Sequence, residues 1–267
     1  MKDTTQNKIT RAWNNLSEYY QKSARISTHD VHYGPLAYGE KRLNLIETVK
    51  GKRVLEIGCG GGQNIITLAR WGAEAFGVDP SKNQIAYARE LARKCNVDVT
   101  FDISPAEHLP FENEYFDRAL SSHAFGYVGD IEKAYKEVYR VLKRNGTFIF
   151  CLTHPYFCAV GYYLAEDPEE PEIRNYLSWP EVTVWTWERD TGPIQMWGYY
   201  RTLSQIINPL LENGFILEKI VEQGIEDVAA MSEEEKEEIP YLCELNEKEY
   251  AIERKLPPTL ILKVRKP

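Results

Sequence analysis

Four glycines stand within five positions directly after a short apolar run, and this density points to a close approach to the backbone. The stretch reads "RVLEIGCGGGQNI" at residues 53–65, and its glycines are Gly58, Gly60, Gly61 and Gly62. Glycine lacks a Cβ and adopts positive φ easily, at a cost in conformational entropy. We therefore expect another chemical group to lie against this turn. A tight strand-to-helix turn that binds nothing is the alternative.

Two carboxylates flank the turn. Glu56 lies two residues before Gly58, and Asp79 ends the next apolar run, 21 residues after Gly58. A carboxylate at the place of Asp79 can accept both ribose hydroxyls of an adenosine group. A dinucleotide-binding turn has the pattern G-x-G-x-x-G, but the sixth position here is Gln63, which weakens a nicotinamide interpretation. Glu56 is either a structural acceptor for loop amides or a ligand.

The elements that position these residues are short strands that alternate with helices. N-cap residues are predicted at Ser81 and Asp130. The predicted strands lie at 53–58, 73–79, 97–103, 115–122, 147–154, 215–223 and 258–266, and the predicted helices at 63–72, 81–95, 130–146 and 203–215. This alternation predicts a doubly wound α/β fold with a parallel sheet, in which ligands bind beyond the carboxyl ends of the strands.

The remaining segments are expected to elaborate one domain that spans residues 1–267. Residues 1–50 are polar and predicted to form an N-terminal helical cap. Residues 155–200 are rich in Pro, Trp and Tyr without a helical period, and we expect an inserted cover for a substrate. An ordinary subdomain or a dimer interface is the alternative for this segment. Residues 224–255 hold 11 acids and 4 bases and form an acidic insertion before the last strand.

Composition and charge argue against several classes of function. Hydrophobic residues make up 43% and charged residues 27% of the 267 residues, as in an ordinary globular protein. Outside residues 224–255, 29 acids face 28 bases, so we expect no basic surface for nucleic acid. The sequence shows no apolar run of the ~18 residues that a membrane span needs and no apolar leader, so we expect a cytoplasmic protein. Five scattered cysteines and the lack of metal-ligand spacing argue against disulfides and a metal site.

Four motifs in order give the sequence a family resemblance. "VLEIGCGGGQN" with "GVDPS", followed in register by "FDISPAEHLPFENEYFDRALSSHAFGYVGD" and "EVYRVLKRNGTFIF", resembles the class I S-adenosylmethionine-dependent methyltransferases that act on small molecules. The likeness covers residues 13–154, with weaker similarity at 203–216 and in the closing "PPTLILKVRKP". It implies a Rossmann-like, mostly parallel sheet of seven strands with helices on both faces. The implied cofactor is S-adenosylmethionine.

The resemblance also implies which residues contact the methionine part of this cofactor. The loop backbone at Gly58, Gly60 and Gly62 would pack against it, with the side chain or amide of Asn64 beside it. The backbone carbonyl of Ser121, which ends the fourth strand, would face the amino group. Tyr20 would cap the carboxylate, although plain core packing of this tyrosine is the alternative.

For the adenosine part, the resemblance implies that Asp79 holds the ribose and that Pro80 lies against the adenine face. Gln84 would line the edge between ribose and adenine. The family usually has an aspartate where this sequence has Pro105, which can neither accept a bond from the adenine amine nor donate from its own nitrogen. The amide of Ala106 and the carboxylate of Glu107 are the remaining candidates for the adenine contact.

Methyl transfer to a hydroxyl or a protonated amine benefits from a general base, and histidine suits this role near pH 7. The catalytic candidates are His123, just past the fourth strand, and His154, at the end of the fifth. The expected substrate contacts come from two loop-like segments and are His29, His32, Tyr33, Trp185, Trp187 and Trp197. A structural role for each histidine stays open.

The sequence therefore predicts a methyltransferase that acts on a small-molecule acceptor, and a homodimer is compatible with it. Two alternatives remain. One is an NAD(P)-dependent oxidoreductase, and the other is a cofactor-binding module of the same fold that has lost catalysis.

Overall fold

The structure, a computed structural model, describes residues 3–24, 26–34, 37–166, 176–178, 182–187, 192–223, 232, 236 and 256–267. Among these residues, no helix combines the length and the apolar character that crossing a membrane requires. The acidic segment 224–255 lies outside the described residues apart from two positions.

A seven-stranded sheet forms the centre of the domain, as predicted. Its strands in chain order are β1 (Arg53–Ile57), β2 (Glu74–Asp79), β3 (Val99–Ile103), β4 (Phe116–Ser122), β5 (Leu142–Thr153), β8 (Ile216–Gln223) and β9 (Thr259–Arg265), and β6 (Thr183–Trp187) pairs with β7 (Ile194–Gly198) in a separate hairpin. The spatial order is β3-β2-β1-β4-β5-β9-β8. The β1–β5 neighbours pair in parallel, and β9 runs antiparallel to both β5 and β8. The predicted doubly wound, mostly parallel α/β fold is therefore confirmed.

Seven helices accompany the strands in the described part of the chain. They are α1 (Thr5–Ser23), α2 (Glu40–Leu43), α3 (Gln63–Arg70), α4 (Lys82–Cys95), α5 (Ile131–Val141), α6 (Pro155–Glu166) and α7 (Leu203–Glu212). Ser81 and Asp130 are the N-caps of α4 and α5, and their side chains accept from the amides of Gln84 and Lys133. Both predicted caps are confirmed.

The sheet is covered on both faces, which explains why its central strands read as continuous apolar runs. Leu55 and Phe148 face one core, together with side chains of α5 and α7. Val54 and Ile149, their neighbours along the strands, face the other core with side chains of α3 and α4. The glycine turn therefore directly follows a strand that is buried on both faces of the sheet.

Two boundaries differ from the prediction. Helix α5 ends at Val141 rather than at Gly146, because Leu142 already pairs with Phe116 and begins β5. Residues 155–166, predicted to have no helix, form α6. Pro155 stands at the first helical position, where proline is compatible with a helix. The helix "PYFCAVGYYLAE" is apolar all round, so no amphipathic period could reveal it.

Candidate active site

The glycine turn lies at the carboxyl end of β1, between β1 and α3. Gly58 has φ +69°, and a Cβ there would lie 2.1 Å from the Cβ of Ala124. Gly60 has φ +51°, and an added Cβ would find no atom within 4 Å. Gly62 has φ +82° and is the N-cap of α3. The turn therefore packs against protein at Gly58 and leaves open space beside Gly60.

The carboxylate of Asp79 joins this turn to the turn that follows β2. Its Oδ2 accepts from the amide of Gly60 at 3.0 Å, and its Oδ1 accepts from the amide of Ser81 at 2.8 Å. Burial raises the pKa of Asp79 to about 6, although the two amides act in the opposite direction. A carboxylate has about four acceptor positions, so two remain for ribose hydroxyls beside the open space at Gly60. The residues present therefore fit the adenosine group that the sequence predicts.

Glu56 is buried behind the turn, with 2% of its surface exposed. Its Oε1 accepts from Asn64 Nδ2 at 3.2 Å and its Oε2 from the amide of Ile65 at 3.1 Å. Burial raises the pKa of Glu56 to about 8. Because both oxygens have protein partners, the geometry favours the structural role of the two that the sequence left open.

Asn64 connects Glu56 to the N-terminal stretch. Its Nδ2 donates to the carbonyl of His32 at 3.1 Å, and its Oδ1 accepts from the amide of His32 at 2.9 Å. The side chain is thus engaged within the protein, which leaves the backbone amide of Asn64 as the group for the predicted cofactor contact.

A chain of buried glutamines fixes α1 over the glycine turn. Gln21 Nε2 donates to Gln84 Oε1 at 2.8 Å, and Gln63 Nε2 donates to Gln21 Oε1 at 2.5 Å. A Cβ on Gly61 would lie 2.4 Å from Gln21 Oε1, so the glutamine amide rests on the backbone of the turn. Gln84, predicted at the ribose–adenine edge, therefore also anchors α1.

Asn14 provides a second anchor for α1. Its Oδ1 accepts from Ser81 Oγ at 2.9 Å and from the amide of Asn83 at 3.2 Å. Tyr20, one residue before Gln21, packs edge-on against Trp13 with 5.3 Å between ring centroids. This position over the turn is compatible with the predicted contact of Tyr20 with the cofactor. Sequence reasoning missed Asn14 and Gln21, because amide side chains on a polar helix carry no distinguishing signal.

The residues predicted near adenine and near the cofactor's amino group lie at the same sheet edge. Pro80 is half-buried between Asp79 and Ser81, and Ala106 is buried. The carboxylate of Glu107 accepts from the amide of Asp130 at 3.4 Å. Ser121 is fully buried, and its Oγ donates to the carbonyl of Ile57 at 2.7 Å, which ties the end of β4 to the end of β1. Their contacts with a cofactor stay predictions.

His123 and His32 meet beside this edge. His123 has φ +55°, and its amide donates to the carbonyl of Cys151 at 3.0 Å. A Cβ on Gly34 would lie 2.0 Å from His123 Nε2, so the N-terminal stretch closes directly over the ring. Burial lowers the pKa of His123 to about 4, and burial together with His123 lowers the pKa of His32 to about 3. Both rings are therefore neutral near pH 7.

His154 does not fit the predicted catalytic role. Its Nδ1 accepts from the amide of Tyr156 at 3.0 Å, so the ring caps the first turn of α6. Its Nε2 must then carry the proton, and it lies 3.0 Å from Glu222 Oε1. With both ring nitrogens engaged, His154 has no lone pair free to accept a proton from a substrate, and the prediction is corrected.

Two of the predicted substrate residues, Tyr33 and His29, do not line a covered site. Tyr33 is fully buried in the core, and its hydroxyl donates to Glu40 Oε2. Glu40 accepts in addition from the amides of Leu45 and Ile46 at 2.9 and 2.7 Å, so the tyrosine completes a buried structural cluster. His29 is exposed to solvent and therefore does not belong to a covered site.

The aromatic hairpin β6–β7 packs on α1. The Trp13 ring meets the rings of Trp187 and Tyr127 edge-on, with centroids 6.1 and 5.3 Å apart. Trp185 lies 6.2 Å from Tyr127, and its partner across the hairpin is Met196, which is fully buried. The structure thus brings the predicted N-terminal cap and the aromatic insertion together over the turn that follows His123.

Trp197 differs from the other two tryptophans of the hairpin. It pairs with Val184, whereas Trp185 pairs with Met196 on the neighbouring position, so Trp197 lies on the opposite face. The ammonium of Lys8 stands 5.8 Å from the centroid of its ring. Alternation along the strand therefore separates Trp197 from the face that carries Trp185 and Trp187.

The structural assignment of Tyr33 is tested by Tyr33→Phe. The change removes one donor to a buried carboxylate, and hydrogen bonds to charged groups contribute roughly 1.5–3 kcal/mol. We expect the free energy of unfolding in urea to fall by about this amount, with Tyr156→Phe, at an exposed tyrosine, as the unchanged control. A Tyr33→Phe protein of unaltered stability with weakened ligand binding would restore the substrate role.

Comparisons with known proteins agree with this geometry. Residues 55–150 match the family described as "Methyltransferase domain". The chain is 34% identical over 146 residues to "Uncharacterized methyltransferase YcgJ" of Bacillus subtilis (strain 168), an alignment that covers 53% of this chain and 54% of that protein. The chain thus spans about half the length of this curated relative.

Two solved structures show the same fold across most of the chain. The S-adenosylmethionine-dependent methyltransferase from Mesorhizobium loti is 22% identical, with a TM-score of 0.60 over 84% of this chain and 94% of that chain. The [4+2]-cyclase SpnF is 19% identical, with a TM-score of 0.65 over 99% of this chain and 97% of that chain. The matched family range contains the glycine turn, Asp79 and His123. Residues 55–150 therefore match a methyltransferase domain, and the chain has the fold of solved S-adenosylmethionine-dependent methyltransferases.

Proposed function

We propose that the protein transfers a methyl group from S-adenosylmethionine to a small-molecule acceptor held beneath α1 and the β6–β7 hairpin. The observation that carries the proposal is the open space beside Gly60, bordered by the Asp79 carboxylate, within the matched methyltransferase domain. When bound, S-adenosylmethionine supplies an activated methyl group. The protein's own task is then to align the acceptor and exclude water.

In this proposal the cofactor lies along the ends of β1, β2 and β4. Asp79 accepts the ribose hydroxyls, and the Gly60 backbone admits the methionine part. His123 accepts the proton that an acceptor hydroxyl or ammonium releases, since it lies directly after β4 and its Nε2 has no hydrogen-bond partner. Trp185, Trp187 and Tyr127 line the apolar side of the acceptor site.

The proposed class of acceptor follows from the charge of the chain. We propose a small organic acceptor rather than nucleic acid, because acids and bases nearly balance outside residues 224–255. A cytoplasmic location and a homodimer belong to the same proposal. Within the described residues, no group of three or more His, Cys, Asp and Glu side chains could hold a metal ion.

The second candidate is a cofactor-binding protein of this fold that transfers no methyl group. The observation in its favour is that a [4+2]-cyclase shares the fold over nearly the whole chain, so the fold alone does not decide the reaction. Turnover decides between the two.

The experiment supplies S-adenosylmethionine carrying a labelled methyl group together with fractions of a metabolite extract. We expect S-adenosylhomocysteine to form, with label in an acceptor, and we expect calorimetry to show binding of S-adenosylhomocysteine but not of NAD. Binding without turnover in every fraction would favour the second candidate. Binding of NAD alone would contradict both.

The proposed role of Asp79 makes the affinity for the cofactor depend on pH. The ionised carboxylate is the stronger acceptor for ribose hydroxyls, and the pKa of about 6 means that it is ionised at pH 8 and mostly protonated at pH 5. One pH unit below its pKa a carboxyl is about one-tenth ionised, so we expect S-adenosylhomocysteine affinity to fall by about tenfold between pH 8 and pH 5. Calorimetry in matched buffers measures this fall.

Asp79→Asn is the matched control, because it keeps the shape and removes the charge. Its affinity should be lower by about tenfold or more at pH 8 and should then change little with pH. A wild-type affinity that is flat from pH 8 to pH 5, or an Asp79→Asn protein that binds as tightly as the wild type, would refute the ribose assignment.

A further inference from the structure

Two buried imidazole nitrogens in the described part of the chain have no hydrogen-bond partner: His32 Nδ1 and His123 Nε2. A buried polar atom without a partner costs about 1–3 kcal/mol. The two rings are close enough for His123 to lower the pKa of His32. The fold therefore leaves one imidazole nitrogen of each ring available for a hydrogen bond to a ligand.

Hydrogen bonds hold the backbone of His32 at both its amide and its carbonyl. Its amide and carbonyl bond to the side chain of Asn64, and its carbonyl also accepts from Ser122 Oγ at 3.2 Å. These contacts tie it to α3 and to the residue just before His123. The fold thus fixes the backbone that carries the imidazole, and Nδ1 of the ring has no hydrogen-bond partner.

Gly34 closes the site over the other ring. It has φ +127°, and a Cβ there would lie 2.0 Å from His123 Nε2 and 2.4 Å from Cδ2. Only glycine allows the chain to lie against the ring in this way. Residues 26–34, which include His32, thus cover a nitrogen that the proposed function needs to be reachable.

The acceptor chemistry follows from the state of the rings. Both imidazoles are neutral near pH 7, so each offers one N–H donor and one lone pair. A hydroxyl both donates and accepts, so it can satisfy one nitrogen of each ring. A carboxylate or a phosphate would favour a cationic imidazole, and an ammonium would favour a carboxylate.

The residues that follow His123 indicate what kind of molecule carries this hydroxyl. The chain runs from His123 directly into the turn that ends at Tyr127, whose ring packs with Trp13 and Trp185. Arg201 fixes the hairpin against this turn, donating to the carbonyls of Phe125 and Val128 at 3.3 and 2.6 Å. An aromatic acceptor suits such a wall. A phenol has a pKa near that of tyrosine, about 10, so a weakly basic buried imidazole takes its proton only as the oxygen attacks the methyl carbon and loses electron density.

We propose, building on the proposed function, that the acceptor is a phenol-type hydroxyl bound between His32 and His123 in the space that Gly34 now closes, with residues 26–34 as the gate. In the transfer the hydroxyl oxygen forms a bond to the methyl carbon while the carbon–sulfur bond breaks and its electron pair stays on sulfur. The hydroxyl proton passes to His123 Nε2 and then to solvent when the gate opens. The products are an aryl methyl ether and S-adenosylhomocysteine.

The test follows the imidazole signals of the full chain, labelled with ¹⁵N-histidine and saturated with S-adenosylhomocysteine. Phenol is titrated as the probe, and anisole, which has the same ring but no hydroxyl proton, is the matched control ligand. Signals are assigned with His32→Gln and His123→Gln. We expect phenol to shift the signals of both histidines and anisole to leave them unchanged. Equal shifts with both ligands, or a His32 signal indifferent to phenol, would overturn the proposal.

Gly34→Ala tests the gate without relying on turnover. The added methyl group cannot share space with the His123 ring, so Gly34→Ala cannot adopt the closed position. Phenol then binds without the free-energy cost of opening residues 26–34, and its apparent affinity rises. We expect phenol to bind this variant about tenfold more tightly than the wild type. Gly126→Ala is the control, because its Cβ meets no atom within 4 Å. Identical phenol affinities for Gly34→Ala and Gly126→Ala would contradict the gate.

The labelled product separates this proposal from the one on which it rests. With ¹³C in the transferred methyl group, the carbon shift of the product distinguishes O-methyl from N-methyl and C-methyl compounds. An O-methyl product supports the phenol-type acceptor. An N-methyl or C-methyl product would overturn it while leaving methyl transfer established, and binding of S-adenosylhomocysteine without any transfer would fail the proposed function itself.

Discussion

The Asp79 carboxylate joins the two turns that leave β1 and β2, and the carboxyl edge of the sheet depends on this junction. One oxygen accepts from the amide of Gly60 and the other from the amide of Ser81. The first bond holds the glycine turn in its positive-φ path, and the second orients the residue that caps α4. A single half-buried carboxylate thus positions both a loop and the start of a helix. The raised pKa of Asp79 is the electrostatic consequence of its burial.

Helix α1 and the β6–β7 hairpin are connected to this junction by hydrogen bonds and aromatic contacts. Asn14 bonds to Ser81, and Gln21 joins Gln63 to Gln84, so α1 is bound to both helices that follow the cofactor turns. The hairpin β6–β7 in turn packs on α1 through its tryptophans. The N-terminal stretch enters from the other side, where Asn64 carries His32. The turns after β1 and β2, helix α1, the β6–β7 hairpin and the N-terminal stretch are therefore one connected hydrogen-bonded and aromatic assembly.

Sequence patterns predicted those parts of the structure that depend on residues close together in the chain. Strand alternation, glycine spacing and the caps at Ser81 and Asp130 depend on residues close in sequence, and they predicted the fold class, whereas the order of the strands was not predicted. Tyr33 and His154 were assigned wrongly, because their roles depend on Glu40 and on Glu222, a partner 68 residues away. Helix α6 is apolar on every side and so has no period to detect. Residues such as Gln21 are functional only through partners that the fold supplies.

The most direct test of the account is calorimetric titration of S-adenosylhomocysteine into Gly60→Ala and Gly51→Ala. Both glycines have positive φ, +51° and +71°, and at both an added Cβ meets no atom within 4 Å, so the backbone strain is matched. Gly51 precedes β1 at the opposite edge of the sheet, whereas the methyl group at position 60 enters the space assigned to the cofactor. We expect Gly60→Ala to bind at least about tenfold more weakly than Gly51→Ala, which should bind like the wild type. Equal binding by the two variants would contradict the placement of the cofactor against the glycine turn.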